Sequence, residues 1–264
     1  MPTVAELSAP YGNFMLGPRP GPDVCSACFN LTDGWGRCHA CGQSEQWLDA
    51  VAPISYSVAG EQLHHALLSY KRMVGPGGRH FAMGLAAVLW RYLARHERCL
   101  ADAAGVESFA LVTTVPSSDA ERDTAHPLNG LVSELVGPAR DRYEPALRRS
   151  AAEVAPHRFS AQKYAPRREL AGRSVLLIDD TWTTGANAQS AAAALKAAGA
   201  GTVAAVVIGR HVNRDWRHND RHLVGLPRPF DWDRCVRCDA AQSEAPSAPG
   251  DGAMPQHRRV RKRG

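Results

Sequence analysis

Apolar residues recur along this chain with two different periods. In EQLHHALLSYKR (61–72) and RHFAMGLAAVLWRYLARHERCL (79–100) they return every three or four positions, which predicts two helices separated by a turn at GPGG (75–78). PLNGLVSELV (127–136) predicts a third helix with Pro in its first turn. NAQSAAAALKAAGA (187–200) predicts a fourth, made of strong helix formers and ended by Gly. Short apolar runs lie between them: SYSV (55–58), SFALVTTVP (108–116), SVLLIDD (174–180) and TVAAVVIG (202–209). These read as strands, and their uniformly apolar character implies a sheet covered on both faces. Strand, helix and strand follow one another between 174 and 209, which predicts a right-handed parallel βαβ unit in an α/β fold.

This patterning divides the chain. Residues 1–24, rich in Pro and Gly, read as an irregular leader. Residues 25–49 hold a four-cysteine element, 50–212 the α/β domain, 213–238 a segment rich in His, Arg and Cys, and 239–264 a disordered tail of Ala, Ser, Pro, Gly and charge. There is no internal repeat. The 264 residues are 44% hydrophobic and 22% charged, an ordinary globular balance. No apolar run is long enough to span a bilayer, and MPTVAELSAP lacks the pattern of a signal peptide, so the expectation is a cytoplasmic protein with no membrane partner. The net charge of +5 is concentrated in the final RRVRKRG. That tail is a solvated end or a weak contact for nucleic acid, and the body is close to neutral.

One stretch carries chemistry. VLLIDDTWTTGAN (175–187) runs an apolar strand into Asp179 and Asp180, then through Thr181, Thr183, Thr184 and Gly185 into a helix near Asn187. In parallel α/β sheets ligands collect at the carboxyl ends of strands. The N-terminus of a helix offers unpaired N–H groups and the positive end of a dipole, which together attract phosphate. Two carboxylates beside such a cradle suit vicinal hydroxyls or a hydrated Mg²⁺. The stretch therefore describes a site for a sugar phosphate. A helix cap accounts for one Asp and one Thr, but not for adjacent carboxylates followed by Thr-Thr-Gly. The P-loop pattern is absent.

The cysteines form two groups. Cys25, Cys28, Cys38 and Cys41 make C-x₂-C-x₉-C-x₂-C, the spacing of two knuckles that place four thiolates around Zn²⁺. Four protein ligands leave no open position, so this zinc is expected to be structural. Trp35 and Trp47 nearby are expected to pack on the small lobe, with stacking on bases the other use. Later in the chain, His218, His222, Cys235 and Cys238 make H-x₃-H-x₁₂-C-x₂-C, a reversed two-His, two-Cys pattern that suggests a second zinc. Chance spacing, or a supplement to the first cluster, are its rivals. Cys99 reads as a lone, buried, small apolar residue in a helix.

VLLIDDTWTTGAN resembles the phosphoribosyl-pyrophosphate (PRPP) motif of type I phosphoribosyltransferases, with Asn187 where the motif ends in Thr. With a four-cysteine element ahead of it, the layout is similar to the competence-associated ComF family. LHHALLSYK (63–71), LVTTVPSS (111–118) and RFSAQKYAPRREL (158–170) resemble further family segments, over roughly residues 25–212. The resemblance implies a parallel-sheet type I phosphoribosyltransferase fold with a small N-terminal zinc lobe. It also implies transfer of phosphoribosyl from PRPP to a nitrogenous acceptor that it does not identify, with Mg²⁺ assisting and pyrophosphate leaving. On it, Asp179 and Asp180 hold the ribose hydroxyls and the Mg²⁺. Thr181, Thr183, Thr184, Gly185 and Asn187 fix the 5′-phosphate. Ser117 and Ser118, with Lys71 or Arg122, meet the pyrophosphate. Where the family carries an Arg-rich segment with Arg-Gly-Phe-Asn-Gln, this chain has SSDAERDTAHPLNG (117–130), whose cationic groups are Arg122 and His126. That departure favours an alternative: a catalytically weak PRPP-binding accessory protein in DNA uptake or nucleic-acid handling.

Overall fold

Helix α1 (Val4–Gly12) opens the chain in the computed structural model, which describes residues 2–73, 75–117 and 126–238. It stands where an irregular leader was expected. Thr3 and Glu6 form a capping box, each side chain accepting from the other's backbone N–H. Packing against a later helix then holds the turn despite Pro10. The basic tail at 239–264 lies outside the described residues.

After the short helix α2 (His39–Gln43) comes strand β1 (Ala50–Val58), which begins well before SYSV. Helices α3 (Gln62–Arg72) and α4 (Pro76–Ala103) follow. GPGG proves to be the start of α4 rather than a separate turn. Pro76 occupies the first helical turn, where its missing N–H costs nothing. A side chain at Gly78 would put Cβ 2.0 Å from the Met73 carbonyl oxygen, so this position requires glycine.

Strand β2 (Leu111–Thr114) leads to α5 (Pro127–Gly130), a π-helical turn over Leu131–Leu135, and α6 (Gly137–Arg140). The single helix expected at 127–136 is thus interrupted. Its Gly130 is a weak helix former, so packing on α4 decides the path. Next come β3 (Leu147–Arg149) and β4 (Tyr164–Pro166), an antiparallel pair that the apolar pattern did not reveal. Then β5 (Ser174–Trp182), α7 (Ala186–Ala197) and β6 (Thr202–Val212) form the expected parallel βαβ unit. Helix α8 (Asn219–Val224) precedes a strap at 226–238.

The main sheet has the order β1-β6-β5-β2, with every pair parallel. Side chains alternate across it with a period of two. Leu176, Ile178, Val206 and Ile208 face the core shared with α1, α3 and α4, while Val175, Leu177, Val203 and Val207 face the core shared with α7 and the cysteine lobe. Helices therefore flank a parallel sheet, an α/β architecture. Each fully buried Val, Leu or Ile contributes about 1.5–3 kcal/mol, which is why the strands read as unbroken apolar runs. Both edges are occupied. Leu16 bridges Tyr56 on β1, and Val112 on β2 exchanges backbone bonds with Arg142 and Glu144. Among the described residues, no helix is long and apolar enough to cross a membrane.

Candidate functional site

Asp179 and Asp180 lie near the carboxyl end of β5, at the mouth of a cleft of about 840 Å³. The cleft is lined by β5, the loop into α7, the last turn of α3, Ser117 after β2, and His157 and His211. Of the residues singled out from the sequence, Asp179, Asp180, Thr181, Thr183, Thr184, Gly185, Asn187, Lys71 and Ser117 all line this one cleft. Ser118 and Arg122 lie outside the described residues.

Local geometry follows from the residue types. Gly185 adopts φ +85°, and a Cβ there would fall 2.3 Å from the Trp182 ring. Only glycine turns the chain from β5 into α7 over this buried indole. Thr184 Oγ1 accepts from the Ala186 N–H at 3.3 Å, while Gly185 itself occupies the N-cap position of α7. The side chain of Asn187 accepts from Lys163 Nζ at 2.6 Å. Lys163 is 2% exposed, and burial lowers its pKa first, with the charge of Arg149 adding to the effect. The Lys163 side chain thus ends on Asn187, in the first turn of α7.

The two carboxylates differ. Asp180 is buried, accepting from Lys71 Nζ at 2.6 Å and from the Tyr70 hydroxyl. Burial pushes its pKa up, but the Lys71 charge and these hydrogen bonds outweigh burial and hold it below the ordinary value. Asp179 is pushed up to about 7, by burial first and by the Asp180 charge second. Near neutral pH Asp180 is therefore ionised, while Asp179 is close to half protonated. Lys71, which the resemblance sets against the pyrophosphate, pairs with Asp180 at 2.6 Å.

Beneath the loop, Arg210 is 3% exposed. Its Nη1 donates to the carbonyls of Trp182, Thr183 and His211, and its Nη2 reaches Cys28 Sγ at 3.7 Å. One guanidinium therefore links the loop to the cysteine lobe. Cys25, Cys28, Cys38 and Cys41 are all buried, with their sulfurs within 4.8 Å of one another and Cys28 and Cys38 at 3.7 Å. Tetrahedral thiolates about 2.3 Å from zinc stand about 3.8 Å apart, so the set geometrically fits a structural zinc. The lobe seats on α7: Gln189 Oε1 accepts from the Trp47 N–H at 2.7 Å and the Leu48 N–H at 3.2 Å. Trp47 packs as expected, but Trp35 does not, being 68% exposed.

The set His218, His222, Cys235 and Cys238 is not gathered. His218 Nδ1 and His222 Nε2 lie 3.4 and 3.8 Å from Asp33 Oδ1, on the cysteine lobe. Cys235 and Cys238 instead meet His96 and Cys99 of α4. The folding of 226–238 across α4 separates what spacing had grouped, and it brings Cys99 into a cluster rather than leaving it alone. Tyr70 and Lys163 fall in stretches that carry the family resemblance but were not singled out, and Arg210 stands out only as a charge at the end of an apolar strand. A scan of protein-family models finds none that matches the chain, and a search of curated proteins likewise finds no match.

Proposed function

We propose that this cleft binds PRPP and that the chain is a phosphoribosyltransferase-like protein of the ComF type. The observation that supports this most is convergence. Three segments distant in the chain, namely the carboxylates with their Thr-Thr-Gly turn at a helix N-terminus, Lys71 and Ser117, line one cleft of a size for a ribose carrying a phosphate and a pyrophosphate. In this reading the turn and the start of α7 hold the 5′-phosphate, with Lys163 lending positive charge through Asn187. Asp180, kept ionised by Lys71, accepts from the ribose hydroxyls. Asp179, releasing its proton to solvent, would accept from a ribose hydroxyl or help hold Mg²⁺. Mg²⁺, when bound with PRPP, would neutralise the leaving pyrophosphate. A nitrogen nucleophile then displaces that pyrophosphate from the anomeric carbon, and the side chains contribute positioning and charge stabilisation.

A second reading is a PRPP-binding accessory protein with weak catalysis. The acidic character of SSDAERDTAHPLNG, which has Arg122 as its single Arg, favours it, since that segment follows β2 and opens with Ser117 in the cleft lining. Calorimetry with PRPP and Mg²⁺ tests what the two readings share. The parent should bind, and Asp179→Asn with Asp180→Asn should abolish binding. Equal binding by that double variant would remove both readings. Pyrophosphate release over a panel of nitrogenous acceptors then separates transferase from accessory protein.

A further inference from the structure

Four side chains of the metal-ligating types meet outside both the cleft lining and the cysteine lobe. His96 and Cys99 stand three residues apart on α4, so they share a face of the helix. The strap at 226–238 crosses that face. Phe230 and Val236 sink into the main core, Trp232 stacks under Arg91 at 4.2 Å, and Phe230 N–H donates to the Gly12 carbonyl. This path delivers Cys235 and Cys238 to His96 and Cys99, with all four donor atoms within 4.8 Å of one another.

We propose that His96, Cys99, Cys235 and Cys238 hold a zinc ion that staples the strap to α4. The spacing of the donors is that of a tetrahedron. Cys238 Sγ lies 3.4 Å from Cys235 Sγ, 3.7 Å from Cys99 Sγ and 3.5 Å from His96 Nδ1. Sulfurs bound to one zinc stand about 3.8 Å apart, whereas a disulfide needs about 2 Å. The surroundings also suit metal. His96 Nε2 lies 2.9 Å from the Trp232 carbonyl and donates to it, which leaves the lone pair on Nδ1 aimed into the cluster. Backbone N–H groups of Cys235 and Arg237 donate to the sulfurs of Cys238 and Cys235. The hydroxyl of Tyr92, buried beside Cys235, has no oxygen or nitrogen partner among the described residues, and a Cys235 thiolate would accept from it. With this site, the chain's seven cysteines divide into four in the lobe and three here, so none is left over.

Metal analysis of the full chain purified without added zinc should find two zinc ions. His96→Gln with Cys99→Ser should leave one, as should Cys38→Ser through the other site. His218→Ala with His222→Ala should keep both. If the His96/Cys99 variant fails to fold, zinc X-ray absorption on the parent still decides, because two sites together give seven sulfur ligands and one nitrogen. A parent with one zinc bound by four sulfurs would overturn the proposal. So would a folded His96/Cys99 variant that keeps two zinc ions, or a native disulfide between Cys235 and Cys238.

Discussion

At Asp179 a pKa near 7 in place of 3.8 is a statement about stability. The folded chain holds this proton more tightly than the unfolded chain, so stability falls as pH rises from about 4 to about 7 and stays reduced above that. Asp179→Asn removes the penalty. It should stabilise the protein by about 1–2 kcal/mol at pH 8, with the gain shrinking towards pH 4. Urea unfolding at several pH values checks this, and a loss that does not vary with pH would contradict it. Asp180→Asn should act the other way, costing about 1–3 kcal/mol because Lys71 loses its counter-charge. Arg210→Met should cost about 3 kcal/mol, since three carbonyls lose their donor. The two aspartates could be recognised from their position at a strand end. Tyr70 and Arg210 could not, because their partners are remote in the chain and nothing local distinguishes a buried guanidinium from a solvated one.

Among elements, the turn from β5 to α7 is the most constrained. Gly185 and Gly60 both have positive φ, but only Gly185 has an indole where a Cβ would go; Gly60 faces open space. Gly60→Ala should therefore cost about 1 kcal/mol of backbone strain, and Gly185→Ala about 2–4 kcal/mol. Thermal unfolding of the pair measures the difference, and equal losses would mean that Trp182 moves aside freely. Strands β5 and β6 were legible because both of their faces are buried under apolar side chains, whereas the serines and the proline of β1 left only its last residues visible. Helix α1 and the pair β3 and β4 were not. The first depends on a two-residue cap and on packing against α4, and the others are three residues each, too short to show a period.

For the molecule as a whole, the cysteine lobe is a buttress. It packs on α7, and Arg210 ties it to the loop beside the cleft. Cys38→Ser should lose the lobe's metal and lower the unfolding midpoint of the entire chain, rather than melt the lobe as a separate step, because an incomplete ligand set removes binding energy that is also folding energy. Metal analysis with calorimetric unfolding reads both effects. A separate low-temperature transition, with the main one unmoved, would show the lobe to be independent.

Local chemistry was readable in the sequence by itself. Apolar runs mark buried strands, a helical period marks α3 and α4, two close C-x₂-C pairs mark a cysteine cluster, and adjacent carboxylates before Thr-Thr-Gly mark the turn that lines the cleft. In each case the residues that act together are neighbours in the chain, so spacing carries the information. Tertiary structure alone decided the partners of Cys235 and Cys238. Two histidines sat closer in sequence and at an acceptable spacing, yet they went to Asp33, while His96 and Cys99, well over a hundred positions earlier, took their place. The burial of Phe230 and Val236 in the main core, with Trp232 held under Arg91 of α4, sets the strap's course, and a ligand set assembled by packing leaves no trace in spacing.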